Sequence, residues 1–232
     1  MSYRHIQEAA YHANMQLPEL NLVLFTFGNV SVVDRQLNVF AIKPSGVPYE
    51  ELAPEKMVIV DLDGKTVAGE LRPSSDTLTH AVLYKHWPHI GSIVHTHSTY
   101  ATAWAQSQRD IPVYGTTHAD HATVDIPCAA PMSDEMIKGN YEYETGFQII
   151  NCLKERAISY EDVEMVLVGN HAPFTWGKTA AKAVYNSAVL ESIAQMAFLT
   201  EQVGNNPPRL KDSLIQKHFE RKHGPDSYYG QT

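Results

Sequence analysis

This chain of 232 residues has little cysteine, no long apolar run and no excess of basic charge. Its two cysteines, Cys128 and Cys152, lie far apart and form no C-x-x-C pair, so they read as reduced thiols of a cytosolic protein. No stretch approaches the roughly 18 consecutive apolar residues that a membrane span needs. The N-terminal MSYRHIQEAAYHANMQ is polar, with the look of an amphipathic helix, and lacks the apolar centre of a signal peptide. A cytoplasmic location is therefore expected, with no membrane partner. Lys and Arg number 18 against 26 Asp and Glu, a net charge of −8, and they form no basic stripe, so nucleic acid is not an expected partner either. The balance leaves room for an anionic small molecule, because one lysine and a few backbone amides hold a phosphate. Internal repeats and low-complexity segments are also missing.

What is present is ordinary globular material, with 44% hydrophobic and 19% charged residues. That composition fills a real core, and the length suits one domain over residues 1–232. Residues 3–16 read as a helix ending before Pro18. Apolar, strand-like runs follow at 23–27, 39–42 and 57–62, separated by turn residues such as Pro44-Ser45-Gly46 and Asp63-Gly64. Residues 76–87 read as a helix starting near Ser75 or Asp76. Residues 92–96 read as a strand, and Ser98 opens a further helix to about Gln106. A short strand is expected over 111–115. Ser133 is placed to cap one long helix reaching about Glu155, with Asp134 and Glu135 favourable in its first turn. Residues 165–168 form a strand, 174–176 its return partner, and a helix runs from about Thr179 until Gly204 and Pro207-Pro208 stop it. Residues 210–221 make a last helix. Strands and helices mix without a regular βαβ repeat, which predicts an α/β fold with a largely antiparallel central sheet flanked by helices.

The histidines number twelve, and their spacing carries more information than their count. In His95-Thr96-His97 two imidazoles fall on one face of a strand, about 7 Å apart at Cα, and can converge on one ion. A catalytic zinc takes about three protein ligands and keeps one position open. His171 follows a strand within VLVGNHAPFTWG, and Asp76 sits at a turn before a helix. A lone H-x-H is more often a structural pair, and spacing alone leaves open whether these residues meet. Lys43-Pro44-Ser45-Gly46, Gly28-Asn29 and Ser74-Ser75 offer a cation, hydroxyls, a side-chain amide and free backbone N–H groups, a set that serves turns as readily as an anion.

Seven blocks in order along the chain point further: FGNVS (27–31), IKPSG (42–46), SSDTLTH (74–80), IVHTHS (93–98), GTTHAD (115–120), NHAPFTWGK (170–178) and KHFERKHGPDSYYGQ (217–231). Together they resemble the class II aldolase and adducin family, and within it the L-ribulose-5-phosphate 4-epimerases. The resemblance implies a three-layer α/β/α fold. It implies that Asp76, His95, His97 and His171 bind one zinc ion per subunit, with manganese or cobalt as substitutes. It assigns Gly28, Asn29, Lys43, Ser45, Gly46, Ser74 and Ser75 to substrate binding and Asp120 and Tyr229 to proton transfer, with His218 and Glu142 as further orienting groups. The substrate it implies is a ketopentose phosphate, and the assembly a homotetramer with the active site between subunits. The reaction it implies inverts C4, which is not adjacent to the carbonyl, so retro-aldol cleavage and re-addition across C3–C4 replace simple deprotonation.

Aldolase relatives usually carry Glu where this chain has Asp76, which favours the epimerase over a sister aldolase or dehydratase. Adducin-type assembly domains have lost ligands that are all present here. The departures are His121, where an aromatic is usual, and Phe27, where Trp is usual; both bear on substrate preference. Arabinose, ascorbate and xylulose catabolism all use such an enzyme, and the resemblance does not choose among them.

Overall fold

The computed structural model describes residues 3–225 together with Ser227 and Tyr228. Along the chain the elements are α1 (Arg4–Glu19), β1 (Asn29–Asp34), β2 (Val39–Ile42), β3 (Val58–Asp61), β4 (Thr66–Ala68), α2 (Thr77–His86), β5 (Ser92–His95) and α3 (Thr99–Gln106). They continue as α4 (Thr116–Ala119), β6 (Cys128–Ala129), α5 (Asp134–Lys138), α6 (Tyr141–Glu155), β7 (Met165–Val168), β8 (Pro173–Gly177), α7 (Ala180–Val203) and α8 (Asp212–His223).

The strands form one eight-stranded sheet in the order β4-β3-β2-β1-β5-β8-β7-β6. Every pairing is antiparallel except β6 with β7. Each residue of β2, β5, β7 and β8 is buried, as expected of strands covered on both faces. On one face α2 and α6 close a core that includes Phe40, Ile42, Tyr84, Ile93, Leu153 and Trp176. On the other, α1 packs on β1 and β2, while α3 and α7 cover Val94, Met165 and Leu167. The layers are therefore α/β/α, and the sheet is largely antiparallel. No helix among the described residues is long and apolar enough to cross a membrane.

Several local expectations are corrected. Residues 23–27 form no strand; Phe25 adopts φ 52° and Leu24 and Phe25 are exposed, so this apolar run is a loop of which Val23 packs against the core. The strand lies just beyond, in β1, whose NVSVVD alternates too weakly to announce itself. Helix α1 runs through Pro18, because a proline in the last turn forfeits one amide bond while Leu20 and Asn21 still close the end on Gln16 and Pro18. The helix capped by Ser133 does not reach Glu155 unbroken: Gly139 ends α5 and Asn140 starts α6. Ile111 makes only an isolated bridge with Ile126, and the next amide in line, Val113 N–H, donates to the Asp125 carboxylate rather than to a strand. Strand β5 stops at His95, so His97 lies past its end.

Candidate active site

The register of the central strands sets Asn29 of β1, His95 of β5 and Phe174 of β8 side by side in one row. Neighbours in such a row project from the same face of the sheet. Phe174 stacks on the His95 ring at 4.1 Å and 18°. The Pro173 carbonyl accepts a hydrogen bond from His95 Nδ1 at 3.0 Å. A carbonyl only accepts, so the proton sits on Nδ1 and the Nε2 lone pair points outward, the tautomer of a metal ligand. His97 follows two residues later and brings its Nε2 to 3.2 Å from His95 Nε2. Two nitrogens on one zinc, each at about 2.0–2.1 Å, stand about 3.3–3.4 Å apart in a tetrahedron. The third imidazole comes from the tight connection between β7 and β8. There Asn170 takes φ 62°, Val168 closes on Ala172, and His171 is presented toward the other two. Nitrogens of His95, His97 and His171 all lie within 4.8 Å of one another.

Asp76 stands at the N-cap of α2 and lines the same cavity. It does not belong to the close set of three; its Oδ2 accepts from Asn29 Nδ2 at 2.7 Å and from Ser74 Oγ at 3.4 Å. Burial works to raise its pKa, yet His95, His80, the Asn29 amide and His171 outweigh it and hold the carboxyl below its ordinary range. The site therefore has an anion at one wall and imidazoles opposite. Burial pushes His171 down to about 3, helped by His95, and lowers His97 as well. Imidazoles that converge beside a carboxylate suit a divalent cation, so these residues fit the metal ion that the family resemblance implies.

The cavity holds about 420 Å³. Its walls include each residue proposed above for metal or substrate: Gly28, Asn29, Lys43, Ser45, Gly46, Ser74, Ser75, Asp76, His95, His97 and His171, together with Glu142. Gly28 is at φ +74°, and a Cβ there would meet Val23 at 2.6 Å and the His95 carbonyl at 3.0 Å. Ser45 N–H donates to Arg72 and Ser74 N–H to Lys43, which ties the two polar loops into one rim. Lys43 is 2% exposed, donates to the Thr26 carbonyl at 3.0 Å and lies 4.9 Å from the Tyr49 ring centre. Desolvation lowers its pKa to about 8. No carboxylate pairs with it among the described residues, which leaves its charge for a ligand.

Of the two proton-transfer candidates, Asp120 does not line this cavity. Asp120 caps α4 and is gripped from α8 by Arg221, at 3.0 Å to each oxygen, and by His218 at 3.0 Å. Burial opposes ionisation there, but the hydrogen bonds and charges of Arg221 and His218 prevail and keep the carboxyl below its usual range. Tyr229 lies outside the described residues. Departing His121 faces Tyr185 and Lys222, away from the cavity, whereas departing Phe27 lines it, 6.3 Å from His97.

Sequence reasoning missed two neighbours of the candidate ligands. Tyr141, at the start of α6, has its hydroxyl 3.4 Å from His171 Nδ1. His80, one turn after Asp76 in α2, is fully buried beside the row of Asn29, His95 and Phe174. The four-residue step from Asp76 to His80 was the available signal, since i and i+4 share a helix face.

Desolvation pushes buried His80 down to about 3 and buried His118 to about 4, from an ordinary 6.5. Between those values and 6.5 the unfolded chain binds the protons that the folded chain refuses. The contribution of these two histidines to the stability of the metal-free protein is thus constant above about pH 6.5 and falls below it, by up to about 1.4 kcal/mol per pH unit for each histidine. Urea unfolding of metal-free protein at about pH 7, 6 and 5 checks this; equal stability at all three contradicts it.

Residues 8–198 match the Class II Aldolase and Adducin N-terminal domain. The chain is 48% identical over 226 residues to proteins of Salmonella paratyphi A and Salmonella typhi named L-ribulose-5-phosphate 4-epimerase UlaF, covering 97% of this chain and 98% of each relative. Among solved structures it resembles an L-fuculose 1-phosphate aldolase, with TM-score 0.78 and 25% identity over 95% of this chain and 97% of the other. It also shares the fold of YgbL from Escherichia coli, a putative aldolase/epimerase/decarboxylase, with TM-score 0.72 and 23% identity over 93% and 98% of the two chains. With its sheet, its histidine pocket and these likenesses in agreement, the chain belongs to the class II aldolase and adducin family.

Proposed function

We propose that this protein is a metal-dependent sugar-phosphate epimerase that interconverts L-ribulose 5-phosphate and D-xylulose 5-phosphate. The observation that carries the reading is the convergence of His95, His97 and His171 in a cavity that also presents Asp76 and Lys43, which has no carboxylate partner among the described residues. The substrate comes from the name of the 48% identical relatives. Zinc, held by Asp76 and the three histidines, is the ion we assign. When bound it acts as a Lewis acid for negative charge developing on the substrate's oxygens.

The chain's own groups do the rest. Lys43 supplies a charge for the phosphate, and Ser45, Gly46, Ser74 and Ser75 supply the hydroxyls and amides of the adjoining rim. Asn29 links this rim to Asp76 through its side-chain amide. The C3–C4 bond breaks when the C4 hydroxyl loses its proton, giving an enediolate and glycolaldehyde phosphate. The aldehyde turns its other face, the bond re-forms, and the new C4 alkoxide regains a proton. A base and an acid on opposite faces are needed. Asp120, held ionised by Arg221 and His218, is the base, and Tyr229 is the acid; their roles exchange in the reverse direction.

Asp120 does not line the metal cavity of its own chain, so we infer that it serves the site of a neighbouring copy in a homotetramer. An apolar hollow of about 520 Å³, lined by Tyr114, Met196, Leu199 and Val203, adjoins the helix that leads to Asp120 and supports a subunit contact there. The free, buried Cys128 and Cys152 suit the reducing cytoplasm.

Activity with L-ribulose 5-phosphate is expected to vanish on chelation and return with zinc or manganese. A folded, metal-loaded sample with no epimerisation would instead direct attention to cleavage of ketose 1-phosphates. Mixed and reassembled His97→Ala and Asp120→Asn subunits, each inactive alone, are expected to recover activity, because some sites then combine an intact metal pocket with an intact Asp120. A reassembled mixture as inactive as its components places both residues in one chain's site.

A further inference from the structure

Behind the metal pocket lies a buried chain of polar side chains. Ser31 of β1 is two residues beyond Asn29, on the same face of the sheet. Its hydroxyl lies 2.7 Å from the Tyr84 hydroxyl and 2.7 Å from His80 Nδ1. Either hydroxyl can donate in the Ser31–Tyr84 pair, and His80 Nδ1 accepts from Ser31 in one tautomer and donates to it in the other. When Tyr84 donates to Ser31, Ser31 has its one proton to give to His80 Nδ1. That direction places the imidazole proton on His80 Nε2. That atom is fully buried and has no hydrogen-bond partner among the described residues.

His80 N–H bonds the Asp76 carbonyl, one helical turn earlier, and a helix side chain leans back over the preceding turn. Asp76 and His95 are the charged or titratable groups close enough to act on His80 electrostatically. His95 Nδ1 is already engaged with Pro173, and its Nε2 faces His97. Asp76 takes its side-chain hydrogen bonds on Oδ2 alone, which leaves Oδ1 without a donor among the described residues.

We propose that His80 is a positioning residue of the metal site: the Tyr84–Ser31 relay sets its tautomer with the proton on Nε2, and that donor, unpartnered among the described residues, engages the Asp76 carboxylate when a metal is bound and steadies it as a ligand. Asp76 is the one ligand candidate outside the close group of histidines, and the one whose side chain must be steered. The inference rests on reading that pocket as a metal site, and it adds a residue that touches neither metal nor substrate. Its function is to supply a directed proton from the core side, opposite the Asn29 amide.

The test is zinc affinity, measured by competition with a chromophoric chelator, on metal-free proteins whose near-ultraviolet circular dichroism matches the wild type. His80→Leu keeps an apolar filling but removes the donor and is expected to bind zinc about 10–100-fold more weakly. His80→Gln keeps an N–H near the place of Nε2 and is expected to stay within about 3-fold of the wild type, well short of that loss. Ser31→Ala frees the tautomer without touching the pocket and is expected to fall between the two. If His80→Leu does not fold, Ser31→Ala decides: weaker zinc binding supports the relay, and unchanged binding overturns it. Wild-type affinity in folded His80→Leu, or equal losses in the Leu and Gln variants, reduces His80 to a core residue and overturns the proposal. A wild-type protein that binds no zinc defeats the metal reading itself and is recognised before any variant is made.

Discussion

The structure depends on one row of side chains across the middle of the sheet. Asn29, His95 and Phe174 stand on adjacent strands, and each fixes a different part of the site. Phe174 holds the plane of the His95 ring, Pro173 fixes its tautomer, and Asn29 reaches sideways to the carboxylate at the start of α2. A slip of one residue in either pairing would turn His95 to the opposite face, where Val30 and Val94 pack against α1 and α7. The long antiparallel pairings and the helices on both faces thus act as a jig for one imidazole. The other proposed ligands come from just past a strand end, a tight connection and a helix cap.

This arrangement places the costly polar groups where the backbone is stiffest. Imidazoles, a buried lysine and a carboxylate share a small cavity, and several buried polar atoms around it, among them Asn29 Oδ1 and His80 Nε2, have no partner among the described residues. Each such atom costs about 1–3 kcal/mol when left unmet. Binding a cation and a phosphate recovers part of that, so ligand binding and stability are linked. The core on the α2 side, with Trp87 on Tyr160 and Tyr84 on Phe40, carries the burden in their absence.

Much of this was legible in the sequence. Short apolar runs bounded by Gly, Pro and Asn marked β2, β3, β5, β7 and β8, and the four- and three-residue spacing along 189–203 marked α7. The apolar 23–27 run misled because hydrophobicity does not say whether a partner surface exists; here Phe25 is 82% exposed. β1 was hidden because Gly28-Asn29 reads as a turn, and the polar Asn29 and Ser31 turn inward to serve the site rather than outward to water. Of the site, the ligand types and loop chemistry were readable, but their meeting was not, since Asp76, His95 and His171 come from separate elements. Asp120 shows the limit most clearly. Its partners His218 and Arg221 lie about a hundred residues further on, and no local pattern couples them to α4.

The central claim is that three imidazoles and one carboxylate hold a single divalent ion. X-ray absorption at the zinc edge on zinc-loaded protein, with the bound metal counted, tests it most directly. The account predicts one ion per chain, a shell of nitrogen and oxygen at about 2.0–2.1 Å and the outer-shell pattern of imidazole rings. Less than stoichiometric zinc, a sulfur shell near about 2.3 Å, or a spectrum without imidazole scattering would contradict it.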